Sequence, residues 1–124
     1  MIYSSNAKQG LSTLLELNES VFEQEGGYWI KIDAWEVVVS AFMPAGVRYS
    51  LTLHDRHGTR VLGYDNAHAV KPPKKFAFAG QRLPYDHKHR TVHDKGVPYH
   101  FQSAQQLRED FFAEVDKLIQ ESKK

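Results

Sequence analysis

Two stretches of this chain alternate apolar and polar residues with the two-residue period of a half-buried strand. Over residues 28–37, Ile30, Ile32 and Ala34 fall on one face and Trp29 and Trp35 on the other, in a run rich in aromatic and β-branched side chains. Over residues 47–54, Val47, Tyr49, Leu51 and Leu53 alternate with Arg48, Ser50, Thr52 and His54. A third strand is predicted over residues 59–64, after the turn sequence Asp55-Arg56-His57-Gly58. The two tryptophans are expected to be buried in their strand and are left out of the functional residues.

Turn composition separates these runs. Met43-Pro44-Ala45-Gly46 lies between the first two, and Glu25-Gly26-Gly27 supplies the glycines that a positive-φ hairpin turn needs, with residues 17–24 as the antiparallel partner. Leu11, Leu14, Leu15 and Phe22 also fit one face of a short helix opened by a Thr13–Glu16 capping box, so helix and strand both stay open for residues 11–24. The period changes to three and four near the C-terminus. Leu107, Phe111, Val115, Leu118 and Ile119 form an apolar stripe, and Ser103 with Gln106 at the third helical position can cap it, so an amphipathic helix is expected over residues 103–121. The stripe must be buried against something. The pattern predicts an α+β fold: a single two-layer domain over residues 1–124, with an antiparallel sheet of about four to five strands and the C-terminal helix packed on one face.

The chain has 124 residues, 41% of them hydrophobic and 12% aromatic, which suits one folded core and neither a disordered chain nor two domains. No run reaches the ~18 apolar residues that a membrane-spanning helix requires. Residues 1–10 are mostly polar with one cation, unlike a signal peptide, so a cytoplasmic location is expected. Cysteine is absent, which excludes disulfides, a thiolate nucleophile and cysteine-held zinc. Histidine, carboxylates and hydroxyls are left to carry any chemistry.

The net charge of +1 conceals a strong asymmetry. Residues 1–46 carry two cations and six acids, whereas residues 47–95 carry ten Lys or Arg against four Asp. All seven histidines lie between His54 and His100. A basic, histidine-bearing middle is an electrostatic footprint for phosphate, although a solvated loop produces the same count. Much of that charge falls in a basic loop over residues 66–86, with Lys71, Pro72, Pro73, Lys74 and Lys75; a loop of that length is usually functional.

Just beyond it, Asp86-His87-Lys88-His89-Arg90-Thr91-Val92-His93-Asp94-Lys95 holds three histidines, three cations and two acids. If the segment is extended, His87, His89 and His93 share one face. Three uses are open. Metal-free cleavage of a phosphodiester needs a base, an acid and fixed positive charge, which here are His89, its counterpart His87 or His93, and Lys88 with Arg90. Asp65 can orient a histidine. The spacing HxHxxxH also suits a divalent metal in a hydrolase, although Lys88 and Arg90 would repel a cation. The third use is no chemistry at all: a charged hairpin edge that resists aggregation. No cofactor is expected on the leading reading. Arg48, Asn66, His68, Lys71, Lys74, Lys75, Phe76 and Tyr85 are the candidate RNA contacts, because rings beside cations stack unpaired bases along a phosphate track. An Asp or Asn at a strand end, as in Tyr64-Asp65-Asn66, also commonly folds back on the backbone.

The run Val61-Leu62-Gly63-Tyr64-Asp65-Asn66-Ala67-His68, then a loop, then His87-Lys88-His89, then an amphipathic C-terminal helix, resembles the TumE-type toxins of bacterial toxin–antitoxin pairs. The likeness extends over roughly residues 15–119 and rests on YDNAH and HKH in that order. It implies a small cytoplasmic toxin neutralised by an antitoxin with a helix-turn-helix domain, usually encoded beside it. It also implies growth arrest by ribonuclease action, often on messenger RNA and with the ribosome as one setting. The family-motif positions here are Asp65, Asn66, His87, Lys88 and His89. A homodimer is left open. The competing reading is a non-catalytic protein that binds nucleic acid or a partner, which would leave RNA uncut and lose its grip as salt rises.

Overall fold

The fold is that of a computed structural model, which describes residues 9–40, 43, 45–66, 87–89 and 97–123, without the side chains of residues 87–89, 97 and 98. In chain order the elements are helix α1 (Leu11–Glu16), strands β1 (Ser20–Glu23), β2 (Trp29–Glu36), β3 (Val47–His54), β4 (Arg60–Asp65), β5 (His87–His89) and β6 (Val97–Pro98), and helix α2 (Ala104–Ser122). The strands form one antiparallel sheet in the order β1-β2-β3-β4-β5-β6, so each pairs with its neighbour in sequence. This is the expected α+β meander with a C-terminal helix. The short β5 and β6 carry it to six strands.

The alternation in β2 and β3 decides the core. Ile30, Ile32 and Ala34 of β2 stand beside Leu53, Leu51 and Tyr49 of β3, all buried, with Leu62 and Tyr64 of β4 continuing the layer. Helix α2 closes over it with Leu107, Phe111, Val115 and Ile119, and Phe101 and Leu14 fill in around them. Ser103 is the N-cap: its Oγ accepts the Gln106 backbone N–H at 3.0 Å, satisfying one of the helix's unpaired donors. Among the described residues no helix is long and apolar enough to cross a membrane.

The ambiguous segment is both helix and strand, α1 followed by β1. Its start differs from the expected capping box. Gly10, at φ +79, is the N-cap, and Thr13 lies inside the helix. The reason is tertiary: a Cβ at Gly10 would sit 2.8 Å from Cβ of Gln105, and the Gln105 N–H donates to the Gln9 carbonyl at 2.8 Å. Only glycine tolerates both that backbone and that approach. The hairpin after β1 turns through Gly26 and Gly27, both at positive φ as expected. The tryptophans are a correction. Trp35 is 45% exposed, and Trp29 is half-buried and stacked on His54 with ring centroids 4.0 Å apart. Their face of β2 points away from α2.

The ring of Phe111 meets Tyr64 edge-on in the middle of this core. Phe111→Ala should cost about 3–5 kcal/mol, against about 1 kcal/mol for Ser103→Ala, since the first opens a cavity and the second loses one cap. Chemical denaturation of both variants measures the difference.

Candidate functional site

Strand β4 sorts its side chains by parity. Leu62 and Tyr64 face α2; the Tyr64 ring lies edge-on to Tyr99 and Phe111, and its hydroxyl donates to Glu114 at 2.5 Å. Gly63 and Asp65 therefore belong to the opposite face, which the helix leaves open. That face also carries Lys31 and Asp33 of β2 and Ser50, Thr52 and His54 of β3. Lys31 Nζ reaches the Asp33 carboxylate at 2.9 Å, and His54 Nε2 is 2.9 Å from Thr52 Oγ1. This face is polar and ordered.

The register arranges it in rows. Asp33 pairs with Ser50, Ser50 with Asp65, and Asp65 with His87; in the next row Lys31 pairs with Thr52, Thr52 with Gly63, and Gly63 with His89. Paired positions on one face bring Cβ atoms within about 4.5–5.5 Å of each other. Tyr64 and Asp65 of the first sequence motif and His87-Lys88-His89 of the second thus lie on adjacent strands, with Lys88 opposite Tyr64. Asp65 itself is only 6% exposed. Arg60 adds a cation that sequence reasoning missed. A Cβ on Gly63 would lie 3.3 Å from Arg60 Cδ and 3.5 Å from its Nη1, so the guanidinium rests over the glycine that pairs with His89. The β-bulge between Leu53 and His54 sets that start of β4, and no local signal reveals it.

Arg48 lies on β3 opposite Trp35, half-buried on the same open face. Asn66, one of the expected RNA contacts, is bound to the backbone of β3. It is 4% exposed; its Oδ1 accepts the Tyr49 N–H at 2.9 Å and its Nδ2 donates to the Val47 carbonyl at 2.8 Å. Its amide finishes the β3–β4 ladder, with one acceptor and one donor position committed to the β3 backbone. His68, Lys71, Lys74, Lys75, Phe76, Tyr85, Arg90 and His93 lie outside the described residues, as do the side chains of His87, Lys88 and His89. Among the described residues no group of three or more His, Asp or Glu side chains is placed to hold a metal.

The model of the family described as Toxin TumE matches residues 12–119 of the chain, from within α1 to the penultimate turn of α2. Neither the curated proteins nor the solved structures give a match.

Asn66→Ala strands a buried N–H and a buried carbonyl on β3. A loss of about 2–4 kcal/mol in unfolding free energy is expected, from roughly 1–3 kcal/mol per unsatisfied group. A melting curve unchanged from the parent would show instead that the amide does not hold the ladder.

Proposed function

The chain belongs to the TumE toxin family and is the toxin component of a toxin–antitoxin pair with a cognate antitoxin; from that premise we propose that it arrests growth as a metal-independent ribonuclease acting on messenger RNA in the cytoplasm. One observation carries the reading: the backbone register that sets Asp65 opposite His87, and Gly63, under the Arg60 guanidinium, opposite His89. Carboxylate, imidazole and guanidinium are the set that phosphodiester cleavage uses.

In this mechanism His89 takes the proton of a ribose 2′-hydroxyl. The oxygen attacks phosphorus, and His87 or His93 returns a proton to the leaving 5′-oxygen, so base and acid exchange states over one turnover. Arg60, beside the glycine that pairs with His89, stabilises the charge that develops on the phosphorane oxygens together with Arg90. Lys88, whose register position opposite Tyr64 belongs to the other face of β5, adds to the positive field around the site. Asp65, almost buried, fixes the orientation of a histidine and the charge it acquires. Arg48, His68, Lys71, Lys74, Lys75, Phe76 and Tyr85 form the track for the RNA on either side, with the ribosome as one source of the substrate. The antitoxin carries a helix-turn-helix domain.

The test is induction of the parent and of folded His87→Ala, His89→Ala, His93→Ala and Asp65→Asn variants in a bacterial host, following growth and messenger RNA together. The parent should arrest growth with early RNA cleavage; His89→Ala should lower cleavage by roughly 10²–10⁴, the usual contribution of one acid or base. Growth arrest with intact RNA would remove the nuclease reading. With purified protein, cleavage should survive a chelator, and abolition by chelator with recovery on one divalent metal would transfer the histidines to metal binding.

A further inference from the structure

The described part of the molecule leaves five large apolar side chains exposed, and three of them fall in one short stretch at the end of β2. Trp35 at the end of β2 is 45% exposed, and Val38 and Val39 just beyond it are 86% and 60% exposed. Their backbone is built, not frayed. The Val37 N–H donates to the Gly46 carbonyl at 2.9 Å, the Ser40 N–H to the Met43 carbonyl at 3.2 Å, and the Met43 N–H to Ser40 Oγ at 3.1 Å. Gly46, at φ +71, has its missing Cβ position 2.9 Å from Val39 Cγ2, so the valine is seated on the returning strand. A hairpin extension held this way displays apolar side chains to a partner.

Two exposed acids belong to the same end of the sheet. Glu36 follows Trp35 and is exposed, as is Glu19 in the α1–β1 turn. That turn is pinned to the same end of the sheet, because Asn18 Oδ1 accepts the Ala34 N–H at 2.9 Å. Glu19 has φ +66, a left-handed conformation in which Gly or Asn is the ordinary choice, and it puts a carboxylate there at a backbone cost. From residue 9 to residue 36 there are six acids and one cation, Lys31.

We infer that Trp35, Val38 and Val39, rimmed by Glu19 and Glu36, are the surface on which the cognate antitoxin docks, through a segment apolar at its centre and basic at its flanks. The inference rests on membership of the toxin family, and its account of neutralisation rests on the proposed site. Trp35 stands two residues from Asp33 on the open face, and Asp33 leads through Ser50 to Asp65 and His87. One step along a strand pair is about 6.6–6.8 Å and two steps across the sheet are about 9–10 Å. A chain segment seated on Trp35 therefore overhangs the row where the cleavage chemistry is placed, and it blocks RNA without distorting the fold.

The test uses the full chain and the antitoxin encoded beside its gene, with the dissociation constant measured by calorimetry and growth rescue measured on co-expression. Trp35→Ser combined with Val38→Ser should weaken the complex by roughly tenfold or more and abolish rescue, as for a buried anchor in an interface. Glu19→Lys combined with Glu36→Lys should also weaken it, through the rim alone. Both pairs should keep the parent's melting temperature and its growth arrest in the absence of antitoxin. Parental affinity in both pairs overturns the inference, as does absence of any complex with the parent chain. So does a dimer of the chain alone that Trp35→Ser with Val38→Ser dissolves, which would make the patch a contact between copies. Loss of RNA cleavage in that variant without antitoxin would assign the patch to RNA instead. Failure of the nuclease reading itself appears separately, as intact RNA, and leaves the affinity measurement standing.

Discussion

A single amphipathic helix lies against a sheet that has two faces, and every other feature of this molecule follows from that inequality. Burying Leu107, Phe111, Val115 and Ile119 of α2 against Ile30, Ile32, Leu51, Leu53 and Leu62 supplies the stabilisation. It also commits alternate residues of each strand to the helix, and the remaining ones to the other side. Where that other side is polar, as at Lys31, Asp33, Ser50 and Thr52, the chain can place chemistry on a rigid floor with no second layer to clear away. Where it is apolar, as at Trp35, the surface asks for a partner.

Strand β4 shows how tightly core and surface are joined. Tyr64 anchors the strand to α2 through the Phe111 ring and the Glu114 carboxylate, with Tyr99 from the segment before the helix against it, and Asp65 and Gly63 on either side of it take their positions from that anchor. Asn66 then ends the strand by completing the hydrogen bonding of β3 at Val47 and Tyr49. Four consecutive residues thus serve four purposes: close approach of a guanidinium, core packing, a nearly buried carboxylate, and termination of the ladder. A short motif that carries so many constraints can identify a family over much of a chain while only part of it touches a ligand.

How much of this the sequence discloses depends on how local each cause is. The alternation in β2 and β3, the apolar stripe of α2 and the Ser103 cap are readable because neighbours a few residues apart decide them. The start of α1 is not, since Gly10 is selected by the approach of Gln105 from the far end of the chain. Trp35 reads as core by composition, but burial needs a covering layer; α2 covers the other face, and β1 begins at Ser20, opposite Ile32, so it does not flank the tryptophan either. Asp65 and the histidines are recognisable as chemistry in the sequence, while their pairing depends on a register set across a long loop. Arg60 and the role of Asn66 are invisible for a similar reason: a bulge in β3–β4 and a cross-strand amide have no signature of their own.

The order of the strands has a consequence for how the molecule comes into being. Each strand pairs with the one made just before it, so the sheet can grow in step with synthesis and no early strand waits for a late one. The helix that seals the core is the last of the described elements in chain order. Without α2, Tyr64 lacks the Phe111 ring and the Glu114 carboxylate, and Leu62, Leu51 and Ile32 have no layer above them. The buried face of the sheet thus depends on an element that follows all of its strands in the chain.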